Sequence, residues 1–169
     1  MMVSSRQKQR IVLVHPRGFN WFPGKRDITD IANRMVPQGV LSIAAYLKQK
    51  GHEVFVYDCL GPGAPLDLQK QAGAILAYQP QMVGFSATTS SFPDAADLAR
   101  LIKNHSSAIA TVCGGVHVSA LEGKLLNAYP AFDFLIAGEG EETIAELADE
   151  IPAADIRGLI WRNQDEITV

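Results

Sequence analysis

Small and hydroxyl-bearing residues are concentrated directly after a short apolar run at positions 82–85. They are Ser86, Ala87, Thr88 and Thr89, and two more serines follow before a proline starts the next helix. Small side chains leave room for a flat or bulky molecule, and hydroxyl groups can hydrogen-bond to it. The segment is interpreted as the floor of a ligand site, although a loop that simply turns the chain uses the same residue types.

A pair of glycines marks the end of a second apolar run. Gly114 and Gly115 follow positions 108–113 and precede Val116 and His117. Because glycine has no Cβ, the pair would let a ligand approach the backbone closely. The same pair also suits a tight turn, so both interpretations stay open at this point.

Glycine and glutamate alternate after a third apolar run. Gly138, Glu139 and Gly140 are followed by Glu141 and Glu142, which we place in the first turn of a helix. Carboxylates at a helix start complement the helix dipole, and this alone explains them. They also occupy the place of a phosphate, so direct phosphate binding at this helix is not expected.

Two histidines lie at strand ends and two lie near helix ends. His15 and His117 are on the predicted ligand side, where each histidine is either a candidate contact or structural. Pro16, directly after His15, is a further candidate contact. His52 and His105 are expected to be solvated. The sequence contains no nucleophile with an evident base, no HExxH and no catalytic carboxylate pair. It therefore indicates a binding site more readily than a reaction centre, and no catalytic residue is assigned.

Other cofactor motifs are absent or incomplete. The segment 18–26 resembles a phosphate-binding P-loop but has one residue too many between its glycines and lacks the Ser/Thr after lysine. No GxGxxG follows the first strand, which argues against ordinary dinucleotide binding. Cys59 and Cys113 are far apart and outside any CxxC, so we expect two buried thiols and no metal site.

Composition excludes several classes of partner. The 169 residues are enough for one domain, 1–169, with a core at about 10–151 and a hairpin at 156–169. The formal net charge of −3 argues against a nucleic-acid surface. No apolar run approaches the roughly 20 residues that span a bilayer, so no membrane partner is expected and the cytoplasm is the default location.

Strand and helix patterns alternate five times, which predicts an α/β, flavodoxin-like (Rossmann-like), doubly wound parallel sheet of five strands with a C-terminal β-hairpin. The natural strand order is 2-1-3-4-5, with the switch point between strands one and three. This order places the loop after Pro16 and the segment 86–91 on two sides of one crevice. The predicted strands are 10–16, 53–58, 82–86, 108–113 and 132–137, and the predicted helices are 37–51, 66–78, 94–104, 119–127 and 142–150.

Four segments together resemble the N-terminal cobalamin-binding domain of B12-dependent radical SAM enzymes, a group with anaerobic magnesium-protoporphyrin monomethyl ester cyclases and methyltransferases. The segments are 37–54, 83–89, 113–120 and 133–143. The resemblance implies that the corrin ring lies across the C-terminal edge of the sheet and the nucleotide tail beside the central strands. The matching tail positions are Ser86, Thr88, Gly114 and Gly115, and the matching neighbouring loops contain Val116, His117, Gly138 and Glu139.

The chain departs from cobalamin proteins at two points. The DxHxxG whose histidine ligates cobalt in mutases and methionine synthase is not matched by residues 15–20. The resemblance therefore implies base-off cobalamin without a protein histidine on cobalt. The CxxxCxxC that binds an iron–sulfur cluster is also absent, so S-adenosylmethionine and a 4Fe–4S cluster would belong to a catalytic domain of a longer parent enzyme. The chain is expected to be a fragment or a separate domain of that enzyme.

The resemblance implies that the chain presents cobalamin to a radical SAM domain. We then expect Gly114→Val or Gly115→Val to abolish cobalamin binding and to leave the fold intact. One alternative is a non-catalytic flavodoxin-like regulatory or interaction domain without a cofactor; a receiver domain is disfavoured because the first strand lacks paired aspartates. Another is the sugar-nucleotide half of a glycosyltransferase, against which the acidic helix start argues. Small residues at three adjacent strand ends favour the cofactor.

Overall fold

The computed structural model describes residues 8–19, 36–121, 123–163 and 166–168. These residues form a seven-stranded sheet in the order β2-β1-β3-β4-β5-β6-β7, in which β1 to β5 are parallel, β6 is antiparallel to β5, and β7 is antiparallel to β6. The strands are β1 Arg10–His15, β2 Glu53–Asp58, β3 Met82–Ser86, β4 Ala110–Gly114, β5 Phe134–Ile136, β6 Leu159–Asn163 and β7 Glu166–Thr168. The helices are α1 Gln38–Gln49, α2 Leu68–Leu76, α3 Phe92–His105, α4 Val116–Leu121, α5 Lys124–Ala128 and α6 Glu141–Ala148, with a 3₁₀ turn at Ala153–Asp155.

The predicted fold class and the order 2-1-3-4-5 are confirmed, and the C-terminal hairpin extends the same sheet beyond β5. Two apolar layers explain the continuous apolar strands, because both faces of the sheet are covered. Ile11 and Leu13 of β1 pack towards α1 and α6, whereas Val12 and Val14 pack towards α2 to α5. This alternation fixes which strand residues can face a site on either side.

One predicted helix is wrong. The helix expected at 119–127 with Ser119 as its N-cap is in fact two short helices, α4 and α5. Gly115 has a φ of +102°, so the chain turns there and α4 begins at once at Val116. Gly123 precedes the first residue of α5 and separates the two helices.

His52 is buried, which corrects the expectation that it is solvated. Its side chain is 2% exposed, and its Nε2 lies 3.4 Å from Oδ1 of Asp149 after α6. Its Nδ1 accepts a hydrogen bond from the backbone N–H of Gln9, just before β1. The residue therefore joins three segments at the N-terminal end of the sheet. His105 is exposed, as predicted.

Some predictions concern residues outside the described part of the chain. They include most of the long loop at 17–36 and most of the segment 18–26 that resembles a P-loop. Both cysteines lie in described strand or loop positions and are buried, as predicted. No helix within the described residues combines the length and the apolarity that crossing a bilayer requires.

Candidate functional site

Four residues form a row at the C-terminal edge of the sheet. His15 of β1 is paired with Asp58 of β2, and Ser86 of β3 is paired with Gly114 of β4. Ser86 follows Phe85, whose partner on β1 is the residue before His15. Because side chains alternate along strands, the row faces the same side as Leu13, towards α1 and α6.

A cavity of about 670 Å³ lies between this face of the sheet and helices α1 and α6. Its upper part is formed by the strand ends and by the loops after β4 and β5. Its lower part is two residues further down the strands, which is about 6–7 Å deeper. The upper lining includes Ser86, Gly114, Gly115, Val116, Ser119, Ile136, Gly138, Glu139, Gly140 and Glu141, and the lower lining includes Leu13, Gly84 and Val112, with Val40, Ile43 and Ile144 from the helices.

A second cavity of about 660 Å³ lies beside the first, over β1. Both cavities are lined by Gly39, Val40 and Ser86, so Ser86 stands where they meet. The predicted crevice between the loop after β1 and the loop after β3 is thus present. The remaining lining of the second cavity includes His15, Pro16, Arg17, Val36, Pro37, Gln38, Thr88 and Ser91.

Gly84 lets side chains from β1 and α6 pack directly against the backbone of β3 at the bottom of the first cavity. A Cβ at this position would lie 2.9 Å from Cδ2 of Leu13 and 3.3 Å from Cδ1 of Ile144, closer than real Cβ atoms usually approach. Any other residue would therefore have to displace the side chains of Leu13 and Ile144. Gly84 is not among the residues predicted for the site, although a glycine inside a strand is itself a sign of close approach.

The two glycines after β4 have different tasks. A Cβ on Gly114 would meet only ordinary contacts, 3.5 Å from the carbonyl oxygen of Ile136, so a side chain there fits the fold and projects towards the cavity. A Cβ on Gly115 would lie 2.6 Å from the carbonyl oxygen of Ala87, and φ is +102°. The expectation that Gly115→Val leaves the fold intact is therefore wrong.

The hydroxyl groups after β3 bond mainly to one another. Oγ1 of Thr88 lies 3.1 Å from both Ser90 Oγ and Ser91 Oγ, and the N–H of Thr88 donates to Ser91 Oγ at 3.0 Å. The carbonyl of Thr88 accepts the N–H of Phe92, the first residue of α3. These bonds support the turn interpretation for this part of the loop. Ser86, in contrast, donates no side-chain hydrogen bond to any described residue and faces both cavities.

Three predicted contacts do not line either cavity. Ala87 is buried, and its backbone N–H donates to the carbonyl of Gly114 at 2.9 Å, which ties β3 to β4. Oγ1 of Thr89 lies 3.2 Å from Nδ1 of His117. The ring of His117 also packs against Phe92, with centroids 4.5 Å apart. Thr89 and His117 therefore lie on the α3 side of the sheet, away from the first cavity.

Ser119, which the sequence suggested only as a cap, is a wall of the first cavity. Its hydroxyl accepts the N–H of Gly138 at 3.0 Å and lies 3.3 Å from the carbonyl of Gly115. It therefore connects the loop after β4 to the loop after β5. On the opposite wall, Ser42 of α1 donates to Oε1 of Glu141 at 2.8 Å, and Glu141 stands in the first turn of α6 as predicted.

Neither cysteine is a nucleophile. Burial, followed by the charges of Asp58 and Asp94, raises the pKa of the Cys59 thiol to about 12. Burial likewise raises the pKa of the Cys113 thiol far above its ordinary value. Both thiols therefore stay protonated near neutral pH, and thiolate chemistry is not available at this edge.

Comparison with known proteins identifies the fold family. Residues 24–148 match the family model described as B12 binding domain. The chain is 30% identical over 131 residues to an uncharacterised methyltransferase of Pyrococcus horikoshii, covering 77% of this chain and 28% of that protein. It is 28% identical over 141 residues to the anaerobic magnesium-protoporphyrin IX monomethyl ester cyclase of a Synechocystis species, covering 79% and 28%. For the cyclase of Rubrivivax gelatinosus the identity is 27% over 143 residues, covering 84% and 24%.

These matches extend over most of this chain but only about a quarter of the length of each relative. The matched region contains the ends of strands β2 to β5 and the two helices, α1 and α6, that line the first cavity. The resemblance to a cobalamin-binding domain that the sequence suggested is thus confirmed. The chain belongs to the B12-binding domain family.

Proposed function

We propose that the chain binds cobalamin along the C-terminal edge of its sheet and presents it to a radical SAM catalytic domain of the same enzyme. The observation that carries this proposal is the first cavity, called the groove from here on, which lies between the strand ends, Gly114 and helices α1 and α6 and is lined mainly by apolar residues. The groove would accept the nucleotide tail, and the corrin ring would lie over the strand ends. The parent enzyme would use S-adenosylmethionine and a 4Fe–4S cluster for methyl transfer or oxidative cyclisation.

The groove fits the tail in size and in chemistry. Its volume of about 670 Å³ lies within the roughly 300–1,000 Å³ of small-molecule sites. The upper part of the groove stays open because Gly114 has no side chain to project into it, so the groove is in part a feature of the strand sequence. An aromatic base buried against Leu13 and Val112 would gain free energy from the apolar surface removed from water.

Each part of the edge has a task in this proposal. Ser86 stands at the junction of the two cavities and offers a hydroxyl to the polar part of the tail. Val116, which is 70% exposed, offers apolar surface beside the ring. Pro16, Thr88 and Glu139 would contact the periphery of the corrin. When bound, cobalamin supplies a cobalt centre that carries a methyl group or exchanges an electron, and the chain supplies orientation and a dry platform.

No histidine of the chain is assigned to cobalt. His117 is engaged by Thr89 and by the ring of Phe92. His15 has its Nδ1 on Asp58 and lies in the second cavity, at the level of the strand ends. The contacts of His117 support the expectation of base-off cobalamin, whose own lower base would lie in the groove. The names of the three relatives, one methyltransferase and two cyclases, support both candidate reactions of the parent enzyme.

The test is a titration of the chain with hydroxocobalamin, followed by gel filtration and a visible spectrum of the protein fraction. We expect retained cobalamin with a base-off spectrum. Gly114→Val should lose it, and Gly73→Val is the matched control, since Gly73 is exposed on α2 with open space around it. A wild-type fraction without pigment would favour the alternative of a flavodoxin-like interaction domain without a cofactor.

A further inference from the structure

The turn after β5 is held by hydrogen bonds more than by packing. Gly138 has a φ of +79°, and among the described residues, its chain neighbours apart, no atom lies within 4 Å of the place where its Cβ would be. Gly138 and Glu139 are exposed, and the strand before them has only three residues. The position of this turn therefore depends on the bonds that its backbone makes.

Two backbone N–H groups fix the turn from opposite sides. The N–H of Ala137 donates to the carbonyl of Gly158, just before β6, at 3.1 Å. The N–H of Gly138 donates to the hydroxyl oxygen of Ser119 in α4 at 3.0 Å. The acceptor on the hairpin side is a backbone carbonyl, whereas the acceptor on the other side is a side chain. A substitution at Ser119 can therefore remove one of the two bonds and leave the other.

The hydroxyl of Ser119 is already oriented by the protein. Its oxygen lies 3.3 Å from the carbonyl oxygen of Gly115, which also accepts the backbone N–H of Ser119 at 3.1 Å. A hydroxyl has one proton and two lone pairs. The proton points to Gly115, as serine hydroxyls in helices often point to the carbonyl four residues earlier, and one lone pair accepts the N–H of Gly138. Ser119 therefore has no proton left to donate to a ligand.

The carbonyl to which Ser119 donates belongs to a tightly packed residue. A Cβ on Gly115 would lie 2.6 Å from the carbonyl oxygen of Ala87, so the two backbones are in direct contact. The N–H of Ala87 donates to the carbonyl of Gly114 at 2.9 Å. The loops after β3 and β4 are thus joined through their backbones, and Ser119 extends this connection to Gly138 in the loop after β5.

We propose that Ser119 is a positioning residue, which holds Gly138 and Glu139 where they contact the edge of the corrin ring and does not contact the cofactor itself. The inference rests on the proposed function and adds to it the residue that fixes the loop after β5. Gly138 and Glu139 both line the upper part of the groove. Without the bond from Gly138 to Ser119, the loop would have to become ordered when the corrinoid binds, and this loss of conformational entropy would weaken binding.

Cobalamin and cobinamide, which has the corrin ring but no nucleotide, test the role of Ser119. In Ser119→Ala the dissociation constants measured by equilibrium dialysis should rise for both corrinoids by the same factor, about three- to tenfold, because the loop contacts the ring that the two share. The urea midpoint should stay close to that of the wild type. The lost hydrogen bond lies at an exposed position, and alanine has the higher helix propensity.

Two further variants separate positioning from a general structural effect. Ser119→Thr keeps a hydroxyl that can donate to the same carbonyl in a helix, so it should bind both corrinoids like the wild type. Ser107→Ala removes an exposed hydroxyl before β4, at the opposite end of the sheet, and should change neither dissociation constant. The amide signal of Gly138 in a ¹H–¹⁵N correlation spectrum reports the bond directly. It should move in Ser119→Ala and stay in place in Ser119→Thr and Ser107→Ala.

Three results would overturn the inference. Weaker binding of cobalamin alone in Ser119→Ala would mean that Ser119 contacts the nucleotide. Unchanged dissociation constants for both corrinoids in this variant would mean that the loop does not need the bond. A Ser119→Thr variant that restores the Gly138 signal but not the affinity would separate the bond from binding. In all three cases the wild type still binds cobalamin; if it binds neither corrinoid, the proposed function itself fails and the inference with it.

Discussion

His15 Nδ1 lies 3.0 Å from Oδ1 of Asp58, across the ends of two paired strands. The same carboxylate oxygen accepts the backbone N–H of Leu60 at 3.0 Å. The carboxylate is therefore held by its own loop, and it in turn fixes the orientation of the imidazole in the second cavity. Such a ring is positioned to contact a ligand above β1 with its other nitrogen.

We expect His15→Ala to weaken cobalamin binding by about two- to tenfold, because one hydrogen-bonding contact is lost. The visible spectrum of the bound cobalamin should stay base-off, since no histidine is expected on cobalt. Asp58→Asn, which keeps the shape of the carboxylate, should have a smaller effect. A spectrum that changes in His15→Ala but not in Asp58→Asn would identify His15 as a cobalt ligand.

Gly114 and Gly115 should respond differently to substitution. Gly114→Val is expected to unfold at the same urea concentration as the wild type and to bind no cobalamin, because a Cβ at this position makes only ordinary contacts and directs the side chain into the groove. Gly115→Ala should lose about 1–3 kcal/mol of unfolding free energy, since φ is +102° and the backbone of Ala87 is too close. Urea titrations followed by circular dichroism measure both. Equal loss of stability in the two variants would contradict the assigned roles.

The two thiols should resist modification in the folded protein. The pKa of Cys59 is raised to about 12, so at pH 8 almost none of it is thiolate. We expect a thiol reagent at pH 8 to label neither cysteine until urea unfolds the chain, and then to label both. Because the folded state holds these protons more tightly than the unfolded state, stability should fall as the pH rises above 9 towards 12. Rapid labelling of the folded chain would mean that Cys59 is accessible.

Arg162 should contribute to stability through backbone carbonyls. From β6 its guanidinium donates to the carbonyls of Phe132 at 2.7 Å, of Leu126 and of Tyr129 at 3.4 Å, which fixes the end of α5 against the sheet. Arg162→Ala should cost about 1–3 kcal/mol of unfolding free energy. Arg100→Ala, which removes only an exposed ion pair with Asp97, should cost at most about 0.5 kcal/mol. Urea unfolding followed by circular dichroism measures both variants. Equal urea midpoints for Arg162→Ala and Arg100→Ala would contradict this role, because water would then replace the hydrogen bonds of Arg162 to the three carbonyls without loss of stability.

Much of the architecture was predictable because it depends on local patterns. The apolar run at 82–86 is the strand β3 as predicted, and Pro93 stands in the first turn of α3. Parallel order then places the ends of β1, β3 and β4 side by side, which is why Ser86 and Gly114 could be assigned to one site before the structure was known.

The walls of the groove were less predictable. Val40 and Ile43 of α1 follow a helical period that indicates only an inward face, not that space remains between this face and the sheet. Gly84 was hidden for the same reason, because its effect depends on Leu13 and Ile144, which are distant in sequence. The burial of His52 likewise depends on Asp149, nearly a hundred residues later. Such relationships depend on tertiary packing.

The hairpin of β6 and β7 changes the status of β5. This strand has only three residues and is followed by the loop that contains Gly138 and Glu139. Because β6 pairs with it along Phe134 to Ile136, β5 is an interior strand with partners on both sides. The smallest unit that folds with its ligand edge complete therefore extends past residue 148, where the match to the family model ends, and includes the hairpin. A chain that ended at residue 148 would leave β5 as an unprotected edge, with the loop above it held from one side only.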